Sequence, residues 1–519
     1  MSALTVPFLM PRVDEVVPDF AMLKDRLTGA SVVEERYTAT QVPSSGDTYT
    51  VGGSGTRLMI IRVANQNDYI DTSTMVLNFK VTGTSCGDLA LDDHVFSLVD
   101  TINVKVGGQT VEVLNNVGHF VNALVQGSMP YNYYKQNGGF EGLHIYDKWN
   151  DGPNMAVNNA ADVTGTALID SRWAVGNAWL TSGRYYAVPL TMLGVCRLPT
   201  LFAARNFQDI TIEILFRSQM AGAAWVLNPS TAVPASTAGA FVTINDVTLT
   251  YDCCRMSADY YALMDNELKM PNGSGVAYPI DTYQIQPASI SGGSSAGTGP
   301  GSVGALTRIV VAKGTRFLKG VYGVSKVTAG ETSFLWRNNS TNGNFCFSSY
   351  QVVINSKRYP QLQIQSSASQ FQELQKAYNQ LGSVAGGALI SWFNYVGQPV
   401  ARVNGTGNTQ RQDALATGTK DGTLLGANAA DEAMFQNGVN LEQFLTNQPD
   451  AGGINTSTSG YQIAVEIQNN GQVATGNTTV PPTVDNTMSG GALGNLTHYV
   501  ILHFTRVLTL KAGAVEILD

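Results

Sequence analysis

The sequence predicts an all-β protein built as two large β-sandwich halves, and three observations carry that reading. In the first, Val188-Pro-Leu-Thr-Met-Leu-Gly-Val-Cys-Arg-Leu-Pro-Thr-Leu-Phe202 forms an apolar loop held extended by Pro189 and Pro199. It leads to the alternating strand Ile210-Thr-Ile-Glu-Ile-Leu-Phe216. In the second, Ile102-Asn-Val-Lys-Val106 and Gln109-Thr-Val-Glu-Val113 flank Gly107-Gly108, a pair that supplies the positive φ angles of a tight hairpin. The third is a comparable unit in the second half. There Tyr350-Gln-Val-Val-Ile354 passes through Asn355-Ser356 to Lys357-Arg-Tyr359, with Pro360 expected to end the strand. Similar hairpins at similar depth suggest a duplicated architecture, although no identity between the halves is visible by eye.

Along the chain, residues 1–18 are proline-punctuated, and Asp19 then caps a short helical segment carrying Phe20, Leu23 and Leu27 on one face. That opening reads as an arm. Strands follow at 36–42 and 56–63, separated by a turn-rich segment that begins Pro43-Ser-Ser-Gly-Asp47. Residues 75–81 place Met75, Leu77, Phe79 and Val81 on one face and Asn78 and Lys80 on the other, the pattern of a half-buried strand. A long strand at 241–251 closes the first half, and a helical connection at 257–268 leads to the second, which opens near Tyr278. Further strands are expected at 281–285, 307–311 and 317–322, with a final one at 499–510. A helix is expected at 367–381, where Phe371, Leu374, Tyr378 and Leu381 form an apolar stripe and Ser367 with Gln370 fits a capping box. Segments 289–304, 402–428 and 450–490, rich in Gly, Ser, Thr and Asn, read as long loops.

The chain of 519 residues would fill about three or four average domains, yet two large β-sandwiches fit equally, and two is the preferred count. Hydrophobic residues make up 44% and charged residues only 13%, about half the usual share. Such a surface suits a protein whose sides are covered by neighbours; a monomer with an uncharged polar coat is the alternative. With a net charge of −8 and no run of Lys or Arg, direct or sequence-specific nucleic-acid binding is not expected. The five cysteines (Cys86, Cys196, Cys253, Cys254 and Cys346) show no metal or redox spacing, and all five read as reduced thiols of an intracellular protein. Pro7, Pro11, Asp14 and Glu15 interrupt any signal-like apolar run, and no segment has the length of a membrane span.

No catalytic, cofactor-binding or metal-binding residue is assigned, and no cofactor is expected. His498 and His503 stand an odd number of residues apart on one strand, so they point to opposite faces and make a poor metal pair. His94, His119 and His144 have no ligand-spaced partner, and Asp92-Asp93 or Glu34-Glu35 read as solvated carboxylates. Gly52-Gly-Ser-Gly55 and the glycines of 292–304 lack the Lys-Ser/Thr of a phosphate loop. Sequons at Asn272, Asn338, Asn339, Asn404, Asn455, Asn477 and Asn495 are read as chance matches in an Asn/Thr-rich chain. The aromatic groups Tyr131-Asn-Tyr-Tyr134 and Trp173, Trp179, Tyr185 and Tyr186 could stack on sugars; packing at contacts is the ordinary reading.

In the order of its elements the chain resembles the double jelly-roll major capsid proteins of tailless icosahedral dsDNA viruses, the polinton-like, virophage, large algal virus and adenovirus lineage. Four places carry the likeness: the strand after Tyr69-Ile-Asp-Thr-Ser73; the 188–202 segment before 210–216; the 350–360 hairpin with its following helix; and the closing Phe504-Thr-Arg-Val-Leu-Thr-Leu510. The resemblance implies two eight-stranded jelly-roll β-sandwiches side by side, with a few short helices and an N-terminal arm. The divisions would be an arm at 1–30, a first jelly roll at 31–260 and a second, with long apical loops, at 261–519. It further implies a non-enzymatic shell protein of the virion, synthesised and assembled inside the host cell. Three copies would form a pseudo-hexagonal homotrimeric capsomer that meets neighbouring capsomers, penton and minor capsid proteins, and a host receptor through its apical loops. A carbohydrate-binding or glycan-processing β-sandwich protein is the alternative, motivated by the aromatic groups and the loops.

Overall fold

Among the described residues eleven strands build the first half, the first nine being β1 (Val33–Gln41), β2 (Tyr49–Val51), β3 (Leu58–Val63), β4 (Tyr69–Thr84), the short β5 (Leu89–Leu91), β6 (Val99–Val106), β7 (Gln109–Asn115), β8 (Arg184–Pro189) and β9 (Ile210–Phe216). They are completed by β10 (Ala224–Val226), which pairs with β5, and the long β11 (Phe241–Met256). One sheet runs β1-β11-β4-β8, with β2 continuing the β1 edge of β11; the facing sheet runs β3-β9-β6-β7. These are antiparallel, and each alternates between the core and the outside, so that Ile210, Ile212 and Ile214 of β9 are buried between partly exposed neighbours. The computed structural model describes residues 33–130, 183–226, 239–269, 276–290, 305–331, 347–378, 436–441, 453–469 and 496–518, with short gaps inside these spans, together with Tyr133, Ile390 and Tyr395. The arm at 1–30, the loop at 402–428, His144, Cys346, Trp173 and Trp179 lie outside the described residues.

The second half repeats the plan. Its strands are β12 (Val276–Ile290), β13 (Leu306–Val311), β14 (Leu318–Val327), β15 (Phe347–Ile354), β16 (Lys357–Ile364), β17 (Asn437–Asn440), β18 (Ile463–Asn469), β19 (Leu496–Lys511) and β20 (Ala514–Leu518). The sheets run β12-β19-β14-β17 and β13-β18-β15-β16. Leaving aside the short β2, β5 and β10 and the added β20, each half has eight strands and joins its first to its eighth, third and sixth, and its second to its seventh, fourth and fifth. That order is a jelly roll, and the chain holds two.

The repetition extends to register and turn. Gly107 and Gly108 have φ of 55° and 80°, and Asn355 and Ser356 have φ of 46° and 69°, so both hairpins close through two positive-φ residues. Strand β9 reads Ile210-Thr-Ile-Glu-Ile214 and β18 reads Ile463-Ala-Val-Glu-Ile467. Glu213 lies opposite Asn103 of β6, and Glu466 lies opposite Gln351 of β15, the strand in the equivalent place. On the outer face, Lys105 Nζ stands 2.6 Å from Glu213 and Arg358 stands 3.4 Å from Glu466. The equivalent strands β9 and β18 therefore share the pattern Ile-x-aliphatic-Glu-Ile.

Three expectations about the strands are corrected. Residues 450–490 are not one loop, because β18 lies within them, with Ile463, Val465 and Ile467 at 1% exposure or less. Pro360 does not end its strand: β16 runs on to Ile364, since an edge strand tolerates a missing N–H and a bulge between Tyr350 and Val352 absorbs the irregular register. The strand at Leu496–Lys511 is not final either, for β20 folds back on it from Ala514. The expected connection is a helix at Ala258–Lys269, and the other expected helix spans Ser367–Ala377. A helix at Val117–Ser128, following β7, went unpredicted.

Candidate functional site

Among the described residues, a buried cluster of polar groups lies where the two jelly rolls meet, along strands β7 and β12. A bulge in β7 sets Glu112 opposite Val104, a core-facing residue, and leaves Glu112 with no exposure. Its carboxylate accepts hydrogen bonds from the Thr282 hydroxyl of β12 at 2.7 Å and from the Gly194 N–H at 3.0 Å. Burial pushes the Glu112 carboxyl up to about 7, against the opposing pull of Thr282, Arg197, the Gly194 N–H and Arg506. Arg506 of β19 donates to the Val111 carbonyl. Thus a carboxylate from the first jelly roll is held by donors from both.

The segment at 188–202 supplies the rest of the joint. Instead of staying extended, it makes a 3₁₀ turn, Gly194–Arg197, whose residues Gly194, Val195 and Cys196 are buried, as is Leu193 before it. Arg197 donates to the Asp281 carbonyl at 2.7 Å and lies over the Tyr283 ring, 5.2 Å from its centroid. Tyr278, fully buried, donates to the Leu201 carbonyl at 3.1 Å and accepts from the Ala203 N–H at 2.9 Å. Phe202 and Phe207 pack against its ring at 5.2 and 5.5 Å. Apolar burial and satisfied polar groups therefore fix one jelly roll on the other.

Helix Val117–Ser128 adds a second contact. Phe120 packs on Tyr283 at 4.9 Å, and His119 packs on Tyr499 at 4.7 Å. Burial holds His119 below its ordinary pKa, so a neutral imidazole meets Glu331 at 2.8 Å, where the Tyr499 hydroxyl also donates at 2.7 Å. At the helix end, a Cβ added to Gly127 would overlap the Tyr378 ring, which is stacked on Tyr322 and donates to the Ala123 carbonyl at 3.2 Å. We expect Gly127→Ala to destabilise the fold by about 1–3 kcal/mol. Placing the same change in a Tyr378→Ala background should remove most of that cost in a double-mutant cycle followed by thermal unfolding.

Beside the joint, Asp281 binds Lys319 Nζ at 2.6 Å and the Thr505 hydroxyl at 2.7 Å, and His503 stacks on Tyr283 at 4.6 Å. Burial drives His498 and His503 down to about 3, so both are neutral. His498 sits 2.8 Å from the Ser325 hydroxyl. Among the described residues no group of three His, Cys, Asp or Glu side chains is placed to hold a metal ion. Cys86, Cys196, Cys253 and Cys254 are buried free thiols. His94 is buried beside Phe96. Of the aromatic groups, Tyr186 is a core residue packed on Phe79 and Tyr185 is 62% exposed. The sequence pointed to the segments holding Glu112, Gly194 and Arg197 but not to their roles, and it missed the 117–128 helix.

No family model matches the sequence, and no curated protein matches it either. Solved structures do. VP54 of PBCV-1, fitted into a reconstruction of the virophage Sputnik, is similar over 95% of this chain and 99% of its own, with a TM-score of 0.51 at 12% identity. The Sputnik virophage structure gives a TM-score of 0.52 at 9% identity, covering 94% of this chain and 89% of that one. The Faustovirus major capsid protein gives 0.52 at 9% identity, covering 93% and 91%. The fold class is thereby defined: an all-β double jelly roll. It is the fold of viral major capsid proteins such as that of Faustovirus, and the likeness runs through both halves of this chain.

Proposed function

We propose that this chain is the major capsid protein of an icosahedral dsDNA virus, a non-enzymatic component of the virion shell. It acts as a homotrimer, a pseudo-hexagonal capsomer in contact with neighbouring capsomers, penton and minor capsid proteins. Residues 1–30 act as an arm beneath the shell, 31–260 as the first jelly roll, and 261–519 as the second, whose apical loops meet a host receptor. The chain is synthesised and assembled inside the host cell. The observation that carries this reading is agreement in fold along 93–95% of the chain with proteins of virus particles. The buried joint gives it a physical basis, because a shell block must resist deformation between its two barrels.

Native mass spectrometry of the purified full chain is expected to give a three-chain species, and electron microscopy of assembled material should show hexagonal units. A stable monomer at micromolar concentration would overturn the reading. Deleting residues 1–18 is expected to leave the trimer intact and impair shell assembly, and loss of the trimer would refute that division of labour.

A further inference from the structure

We infer that Lys319 and Asp281 condense into an internal amide cross-link that ties strand β14 to strand β12 across β19, a covalent modification made by the fold itself. Lys319 Nζ stands 2.6 Å from Asp281 Oδ1, and the lysine side chain is only 5% exposed. The Thr505 hydroxyl donates to the same oxygen at 2.7 Å. Two other lysine–carboxylate pairs among the described residues, Lys105 with Glu213 and Lys376 with Glu373, are as short, but their lysines are 34% and 41% exposed. Water stabilises those pairs as ions. It hardly reaches Lys319.

Register explains why the two groups meet. Strand β14 bulges between Leu318 and Gly320, which lie opposite Phe504 and His503, so the extra residue is Lys319. Such a bulge re-aims its side chain, and here it carries the lysine across β19 to β12. Asp281 is paired with Thr505, and His503, two residues away on the same face of β19, stacks on Tyr283. Burial keeps His503 neutral, and its Nε2 is buried without a hydrogen-bond partner. A carboxyl, an amine, a hydroxyl donor and a proton carrier thus share one face of the sheet.

The pair reacts as amine and acid, so the Lys319 ammonium releases one proton and Asp281 Oδ2 takes one up. The Nζ lone pair then attacks Cγ, and the carbonyl electrons move onto Oδ1, where the Thr505 hydroxyl stabilises the charge. His503 transfers a second proton from the nitrogen to Oδ2. The Cγ–Oδ2 bond breaks, the carbonyl re-forms, and one water leaves past the Asp281 side chain, which is 31% exposed. No oxidant, reductant or co-reactant is consumed. Two features drive a condensation that free ions in water resist: placement, worth an effective concentration of about 10⁵–10⁸ M in well-oriented pairs, and the removal of two charges from a buried site.

The test is the mass of the full-length folded chain, measured after denaturation, together with a tryptic peptide map. Wild type is expected to be one water, about 18 Da, lighter than its sequence, and to yield a branched peptide joining the segments that hold Asp281 and Lys319. Lys319→Arg keeps the positive charge but not the nucleophile, so it should show the full sequence mass with an unchanged circular dichroism spectrum. After refolding, His503→Gln should form the branched peptide at least about tenfold more slowly than wild type, and an equal rate would overturn the proton relay. Should Lys319→Arg fail to fold, the wild-type peptide map decides alone. A folded wild-type chain at full mass would overturn the cross-link. So would a loss of water without the branched peptide, the mark of a cyclised aspartate. Neither result touches the capsomer reading, which stands or falls on the oligomer.

Discussion

Gly194→Ala is expected to cost about 3 kcal/mol or more, one of the largest losses available from adding a single methyl group to this protein. A Cβ at this position would overlap the backbone carbonyl oxygen of Asp281 and crowd the Ile280 side chain, both on β12. Backbone cannot rotate away as a flexible side chain can, so either the turn lifts or the strand shifts. If the turn lifts, the Gly194 N–H leaves Glu112 and the Arg197 guanidinium is drawn off the Asp281 carbonyl, so one clash breaks a hydrogen bond that anchors the turn and another that joins the two jelly rolls. Differential scanning calorimetry should show a lower first transition, and the two jelly rolls should begin to unfold separately. A variant that melts with wild-type midpoint and cooperativity would show that the joint does not couple the barrels.

The strands of this protein were legible where alternation ran uninterrupted. Residues 75–81, 102–113 and 210–216 stand where period-two patterning and the Gly-Gly turn put them. Strand β18 was hidden because a composition dominated by Gly, Thr and Asn on both sides outweighed the short alternation Ile463, Val465, Ile467. Its likeness to β9 becomes visible only once register places Glu213 and Glu466 in equivalent positions. The joint was illegible for another reason. Glu112 sits between two valines and reads as the solvent-facing member of a half-buried strand. Its environment is set by residues 82 to 394 positions away, among them Gly194, Thr282 and Arg506, which no local pattern encodes. Likewise Pro189 and Pro199 suggested an extended loop, whereas the segment turns at Gly194–Arg197 and is buried against the other barrel, contacts that no local pattern encodes.

Glu112 is expected to give the protein a pH dependence of stability that Glu112→Gln lacks. The folded state holds the carboxyl up at about 7, whereas the unfolded chain releases its proton near 4.5. Between those values the unfolded state binds fewer protons, so this group's contribution to stability is full below about 4.5, falls as pH rises, and levels off above about 7. The span corresponds to about 3 kcal/mol. His498 and His503 act in the opposite sense: both stay neutral in the fold while the unfolded chain charges below about 6.5, so their contribution is lost on acidification. The bare melting curve therefore mixes two trends, and the difference between wild type and Glu112→Gln isolates one. Glutamine keeps an oxygen for the Thr282 hydroxyl without a titrating proton, so its stability relative to wild type should improve from pH 4.5 to 7 and then stay constant. Glu112→Ala should be less stable than Glu112→Gln at every pH, because the Gly194 N–H and the Thr282 hydroxyl are then buried without their acceptor. A difference curve that is flat with pH would mean that Glu112 stays ionised in the joint, with Arg197 and Arg506 outweighing its burial.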